Sequence, residues 1–165
     1  MSGSTTLSIR PATEADIPVI LEMVKALAVY EKMLDEVTAT PDRIRESLLG
    51  PSPHAHTALG EVQGEAVGIA IYFFNYSTFL SRRGLYLEDL FVKEAFRGRG
   101  YGGQILRYLA RVAVENECGR FEWTVLDWNQ PAIKFYEKMG ARVLKEWRIC
   151  RVTDDALAAL GVEPE

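Results

Sequence analysis

Three consecutive segments between Thr57 and Val92 alternate apolar and polar residues and are joined by turns too short for a crossover. They are "TALGEV", then "AVGIAIYFFNY" after a turn at Gln63 to Glu65, then "GLYLEDLFV". The first two read as a hairpin and the third as the next strand, so the centre of the chain is committed to a largely antiparallel sheet. Everything else must pack on that sheet or extend it.

Before it, Leu7 to Arg10 reads as a short strand, and Thr13 with Asp16 three residues on forms a capping-box-like start to a helix. Ile17, Ile20, Leu21, Val24, Leu27 and Ala28 then recur at helical spacing. A shorter helix is expected over 41–49, ended by the turn residues "GPSPH". After the sheet, Ile105, Leu106, Leu109, Val112 and Ala113 mark an amphipathic helix, and "FEWTVL" reads as a strand. Asn129 can cap a further helix with Pro131 in its first turn and Gly140 just past its end, and "RVLKEWRICRV" is expected to return to strand. No repeat, low-complexity tract or linker interrupts the series. The expectation is one α+β domain over 1–165, a mixed, largely antiparallel sheet with helices on both faces.

The chain has 165 residues, 48% hydrophobic and 25% charged, which suits a globular protein with a sizeable core. No run approaches the roughly 20 apolar residues that span a bilayer, and "MSGSTTLSIR" lacks the pattern of a secretory signal, so no membrane association and a cytoplasmic location are expected. Cys118 and Cys150 are too few for a disulfide framework and read as structural thiols. His54 and His56 form an H-x-H without a third ligand nearby, so no metal is expected. With 19 Lys and Arg against 23 Asp and Glu, the net charge of −4 argues against a nucleic-acid surface and leans toward a cationic substrate.

"FRGRGYGGQIL", Phe96 to Leu106, lies between the last strand of the meander and the amphipathic helix. Glycines there let backbone approach phosphate oxygens, while free N–H groups and the helix dipole supply positive charge. Gly98, Gly100 and Gly103 complete a G-x-G-x-x-G, and Asp127 follows at the distance of a ribose-binding acid. Against a dinucleotide stand the residues Lys93 to Arg97 between strand and glycines, the antiparallel hairpins upstream, and the position past mid-chain.

A second parse is Arg97-x-x-Gly100-x-Gly102, which resembles the R/Q-x-x-G-x-G/A signature of the GNAT superfamily of N-acetyltransferases. "IRPATEAD", "LAVYEKM", "LYLEDLFV" and "VLDWNQPAIKFYEKMGA" are similar, in order, to segments of its spermidine/spermine and thialysine N-acetyltransferase branch, over about Ile9 to Val152. The resemblance implies a GNAT-like fold, acetyl-CoA as cosubstrate, a small primary amine as acceptor, and a homodimer. It implies a coenzyme site at Leu90, Phe91, Val92, Arg97, Gly98, Arg99, Gly100, Tyr101, Gly102, Gly103, Asn129, Pro131, Ala132 and Tyr136. The pair Tyr30 and Glu31, with Glu88 and Asp89, would bind the amine, and Asp35 and Glu36 could add charge. Glu88 would be the general base and Tyr136 the general acid, with a backbone N–H near Leu90 as oxyanion donor.

The residue types fit that chemistry. An alkylamine is protonated at neutral pH and has no lone pair until a carboxylate relays its proton away, and a phenol can protonate a departing thiolate. Two adjacent acids inside an apolar strand also break the local pattern, which marks a site or an edge. "NYSTFLSRRG" lacks the acid and Trp of the spermidine/spermine enzymes and, with "VLDWNQ", is closer to the thialysine branch. The resemblance sets Glu146 against a family acid near Trp147. The alternative reading is a catalytically inactive acyl-CoA-binding sensor module.

Overall fold

The computed structural model describes residues 6–162; the rest of the expected 1–165 span lies outside them. The chain divides into two compact units, Met1–Thr124 and Val125–Glu165.

The first unit is built on a five-stranded sheet in the order of the chain: β1 (Ser8–Pro11), β2 (His56–Val62), β3 (Glu65–Ser77), β4 (Arg82–Val92) and β5 (Arg120–Trp123). The first three pairings are antiparallel and β4 pairs with β5 in parallel, as the crossover helix α3 (Tyr101–Glu115) requires. Gln63 and Gly64, both at positive φ, make the two-residue turn of the β2–β3 hairpin.

Each sheet face has its own core. Ile17, Ile20 and Met23 of α1 (Ile17–Glu31) and Ile44 of the short α2 (Pro41–Ile44) pack on Leu59, Ile69, Ile71 and Phe91. Tyr101, Ile105, Leu109 and Ala113 of α3 pack on the other face against Ala70, Leu85 and Leu87. One looser turn over 45–49 prolongs α2, so the expected helix over 41–49 is present in two geometries.

The capping-box pattern does more than start α1. The Asp16 carboxylate accepts from the Thr13 N–H and hydroxyl at 2.7 and 2.9 Å, and takes both Arg10 terminal nitrogens at 2.8 and 2.9 Å. Arg10 also reaches Glu61 at 2.6 Å, fastening β1, β2 and the entry to α1 together. That guanidinium holds the Asp16 carboxyl well below the usual carboxylate range.

In the second unit, α4 (Gln130–Lys138) begins as expected: Asn129 is buried and its side chain accepts from Ala132 N–H at 3.3 Å, with Pro131 in the first turn and Gly140 at φ 94° past the end. The strand expected from "RVLKEWRICRV" is not formed. Residues 142–152 carry no ladder, and Trp147 and Ile149 remain 74% and 68% exposed, so apolar alternation found no strand edge to pair with among the described residues. A helix not anticipated from the sequence, α5 (Asp154–Leu160), follows. Among the described residues no helix is long and apolar enough to cross a membrane.

Candidate active site

The pairing of β4 with β3 slips at the two adjacent acids. Asp89 lies opposite Ile71 and Leu87 opposite Tyr72, which leaves Glu88 as an extra residue, a β-bulge. The slip resets the alternation of faces. Leu85, Leu87, Leu90 and Val92 all serve the α3-side core, whereas Phe91 serves the α1-side core. Asp89 therefore shares the α1 face with Phe91 and Tyr86; in unbroken alternation it would follow Leu87 into the α3-side core.

The pairing of β4 with β5 also stops here. It runs from Gly84 opposite Arg120 to Leu87 opposite Trp123, and among the described residues Glu88–Val92 have no partner on that edge. A strand edge opened in this way presents backbone N–H groups, and Leu90 lies within it.

Glu88 is exposed and Asp89 half-buried. Burial, and then the negative charges of Glu88 and Glu31, push the Asp89 carboxyl up from 3.8 to about 6. Glu31, the last residue of α1, is raised as well by burial. Strand and helix thus bring carboxylates close enough to oppose one another's ionisation, and a cation among them relieves that repulsion.

Tyr30 is tied to the same place by Arg97. The guanidinium lies 4.9 Å from the Tyr30 ring centroid and 5.4 Å from that of Phe91, and its Nε donates to the Val92 carbonyl at 2.9 Å. Arg99 turns back in the same way, donating to the Ala95 carbonyl at 3.2 Å and lying 5.3 Å from the Phe96 ring. The two arginines of the glycine motif are therefore engaged with protein groups, and Arg97 links the end of α1 to the end of β4.

The glycines keep the geometry expected of them. Gly98 and Gly100 have φ of 75° and 80°, the second as the N-cap of α3, and a Cβ at either would meet nothing within 4 Å. The backbone there is left-handed and open, a shape that leaves room for a bulky anion beside the helix start. Tyr101 and Gly103 are buried in the first turn of α3, with Gly102 partly exposed between them.

In the second unit, Tyr136 is half-buried on α4 with its ring 5.2 Å from that of Phe135, and Asn129, Pro131 and Ala132 form the same helix start. Asp35 and Glu36 lie in a single exposed turn after α1, Leu34–Glu36. Glu146 lies in the exposed segment before α5.

Two residues not singled out from the sequence also stand on the α1 face. Phe73 and Tyr86 are opposite each other in register, half-buried, with rings 5.1 Å apart. The signal that would have found them is the slip itself, since apolar residues at 85 and 87 resume at 90 and 92. His56 stacks on Tyr72 at 5.3 Å on the opposite face, and among the described residues no group of His, Cys, Asp and Glu could hold a metal.

The model of the acetyltransferase (GNAT) family matches residues 21–141. A thialysine N-epsilon-acetyltransferase of Sus scrofa is 39% identical over 93% of this chain and 96% of its own length. An L-ornithine N5-acetyltransferase of Arabidopsis thaliana is 34% identical over 92% of this chain and 86% of its own. Among solved structures, an integron cassette protein of V. cholerae superposes with a TM-score of 0.79 at 22% identity, covering 97% of this chain and all of that one, a likeness of fold.

Proposed function

The chain belongs to the GNAT acetyltransferase family and is an N-acetyltransferase, and from that premise we propose that it transfers the acetyl group of acetyl-CoA directly to the primary amine of a small substrate. The observation that carries the reading is the bulge at Glu88, which sets Asp89 on the α1 face near Glu31 just where the β4–β5 pairing ends. The whole of 1–165 then works as one N-acetyltransferase domain.

When bound, acetyl-CoA supplies the activated thioester. The open left-handed backbone at Gly98 and Gly100, with the amides leading into Gly102 and Gly103 at the start of α3, fits a pyrophosphate. Leu90, Phe91 and Val92 flank the pantetheine arm along the open edge, an N–H near Leu90 donates to the thioester oxygen, and Asn129, Pro131 and Ala132 complete the coenzyme contacts. Arg97 positions this edge, since it already holds the Val92 carbonyl.

Tyr30, Glu31 and Asp89 attract the ammonium group, and Glu88 takes its proton through water. The free amine attacks the acetyl carbon, the C–S bond breaks as Tyr136 gives a proton to the sulfur, and the proton the nitrogen then sheds restores the Tyr136 phenol. A second assignment within this reading makes Asp89 the base, because a carboxyl at about 6 is better matched to that task near neutral pH. Burial pushes the Cys118 thiol up, which keeps it protonated and supports direct transfer over an acyl-enzyme.

The acceptors proposed are α,ω-diamino acids of the thialysine or ornithine kind, with diamines and polyamines behind them. The names of the relatives support this order. A cytoplasmic homodimer is proposed too, with the exposed apolar side chains of Trp147, Ile149 and Leu160 in contact with the second copy. The test is thiol release from acetyl-CoA over thialysine, ornithine, lysine, spermidine, spermine, diamines and a peptide N-terminus. Release with the diamino acids supports the reading, and release with none of them returns the chain to the acyl-CoA sensor, which its N-acetyltransferase relatives do not favour.

A further inference from the structure

The α1 face of the sheet continues past Asp89 toward the start of β4, and α1 does not follow it. Ile69 and Ile71 lie in the α1-side core, but Phe73, the next residue of that face, does not, and neither does its partner Tyr86. Their rings stack at 5.1 Å with an interplanar angle of 36°, and both remain half-buried. Two residues along a strand is about 7 Å, so this aromatic pair begins one lysine-like side chain away from the Asp89 carboxylate.

The next row on the same face carries charge of both signs. Glu122 stands beside Tyr86 and Arg120 beside Gly84 in the β4–β5 ladder, while their neighbours Phe121 and Trp123 belong to the α3-side core. Arg120 and Glu122 are ion-paired at 3.0 Å, both side chains more than a third exposed. The Arg120 Nε is buried against Glu122 and the Arg120 Nη2 donates to the Tyr76 carbonyl at 3.3 Å, so the guanidinium is held in place on this row. Gly84 is what makes room: a Cβ there would meet the Asn75 side chain and the Arg120 stem at 3.1 Å.

We propose that Phe73 and Tyr86 form the floor on which the carbon chain of the acceptor lies, and that Arg120 and Glu122 read the amino-acid head at its far end. The face then has a cation-attracting end at Asp89, an aromatic middle, and a pair of opposite charges matched to a carboxylate and an ammonium on one carbon. A polyamine offers only the second of those charges and would leave Arg120 facing a cation. The substrate class selected is an α,ω-diamino acid over the diamine or polyamine of equal length. This inference rests on the amine-acetylation reading and deepens it.

Binding of ornithine and of putrescine, which lacks only the carboxylate, is measured by calorimetry on the parent protein and on Tyr86→Ala, Tyr86→Phe and Arg120→Gln. Tyr86→Ala is expected to weaken both ligands about tenfold, and Tyr86→Phe to restore them, because a ring and not a hydroxyl is required. Arg120→Gln is expected to weaken ornithine about tenfold and to leave putrescine unchanged or tighter. Acetyl-CoA affinity, unchanged in all three, reports that the fold is intact. Equal losses for ornithine and putrescine in Arg120→Gln, or no loss in Tyr86→Ala, overturn the assignment. Because the readout is binding, a parent protein that binds ornithine without releasing thiol refutes the transfer reading alone, and the comparison between ligands still decides this one.

Discussion

Removing the charge at Asp89 should make the protein more stable and less active at once. The carboxyl is raised from 3.8 to about 6 in the folded chain, so the folded state holds its proton more tightly than the unfolded state does. A group of this kind favours folding below its unfolded value and loses that contribution as pH rises through the folded one. At 1.36 kcal/mol per pH unit the full loss is about 3 kcal/mol, and about 2 kcal/mol after allowing for solvent screening of a half-buried group. Asp89→Asn removes the titration while keeping shape. It should gain about 2 kcal/mol relative to the parent above the shifted value and show little gain below the ordinary one. Urea unfolding at a pH on each side reads this directly: with a slope of about 2 kcal/mol/M, the midpoint difference between variant and parent should open by about 1 M. An equal difference at both pH values would mean that the burial of the charge stores no free energy, and the argument for a cation-attracting site would fall with it.

Other outcomes follow from the same geometry. Glu88→Gln should lower kcat by about 10²-fold or more, most severely toward lower pH, in steady-state rates across a pH series; an unchanged profile transfers the base role to Asp89. Tyr136→Phe should slow acetyl transfer while leaving acetyl-CoA affinity intact, so full activity there would remove it as the acid. Gly100→Ala, at φ 80°, should cost about 1–2 kcal/mol of local strain and raise the KM for acetyl-CoA more than that for the amine. Arg10→Ala should destabilise the fold by about 2 kcal/mol, less than for a fully buried pair because the Arg10 side chain is 36% exposed. Asp16 is held low in the folded state, so its contribution is present above the ordinary carboxylate value and lost as pH falls; the gap between Arg10→Ala and parent should therefore shrink on acidification.

The sheet was readable because alternation and the Gln63–Gly64 turn are local signals, and the glycines at 98 and 100 because only a left-handed backbone demands them. The helix start at Asn129 was readable for the same reason, its cap bond closing within three residues. The face on which Asp89 emerges was not read, since it depends on the pairing slip between Ile71 and Tyr72, a relation between two strands. The same holds for Arg97, whose partners Tyr30 and Phe91 are far away in sequence or on another element. The segment 142–152 failed in the opposite direction. Its alternation suits a strand, but a strand needs a neighbour, and periodicity cannot supply one.

The bulge at Glu88 makes the site depend on a count of residues as well as on their identity. Inserting one residue between Gly84 and Glu88 would leave the composition of β4 nearly intact yet transpose everything downstream, sending Asp89 and Phe91 toward α3 and Leu90 and Val92 toward α1, and deleting one would close the bulge. Point substitutions leave that frame alone. Descendants of this chain are thus free to change the amine they accept by exchanging side chains at 73, 86, 120 and 122, whereas a change of length in β4 removes acceptor site and coenzyme edge in a single step.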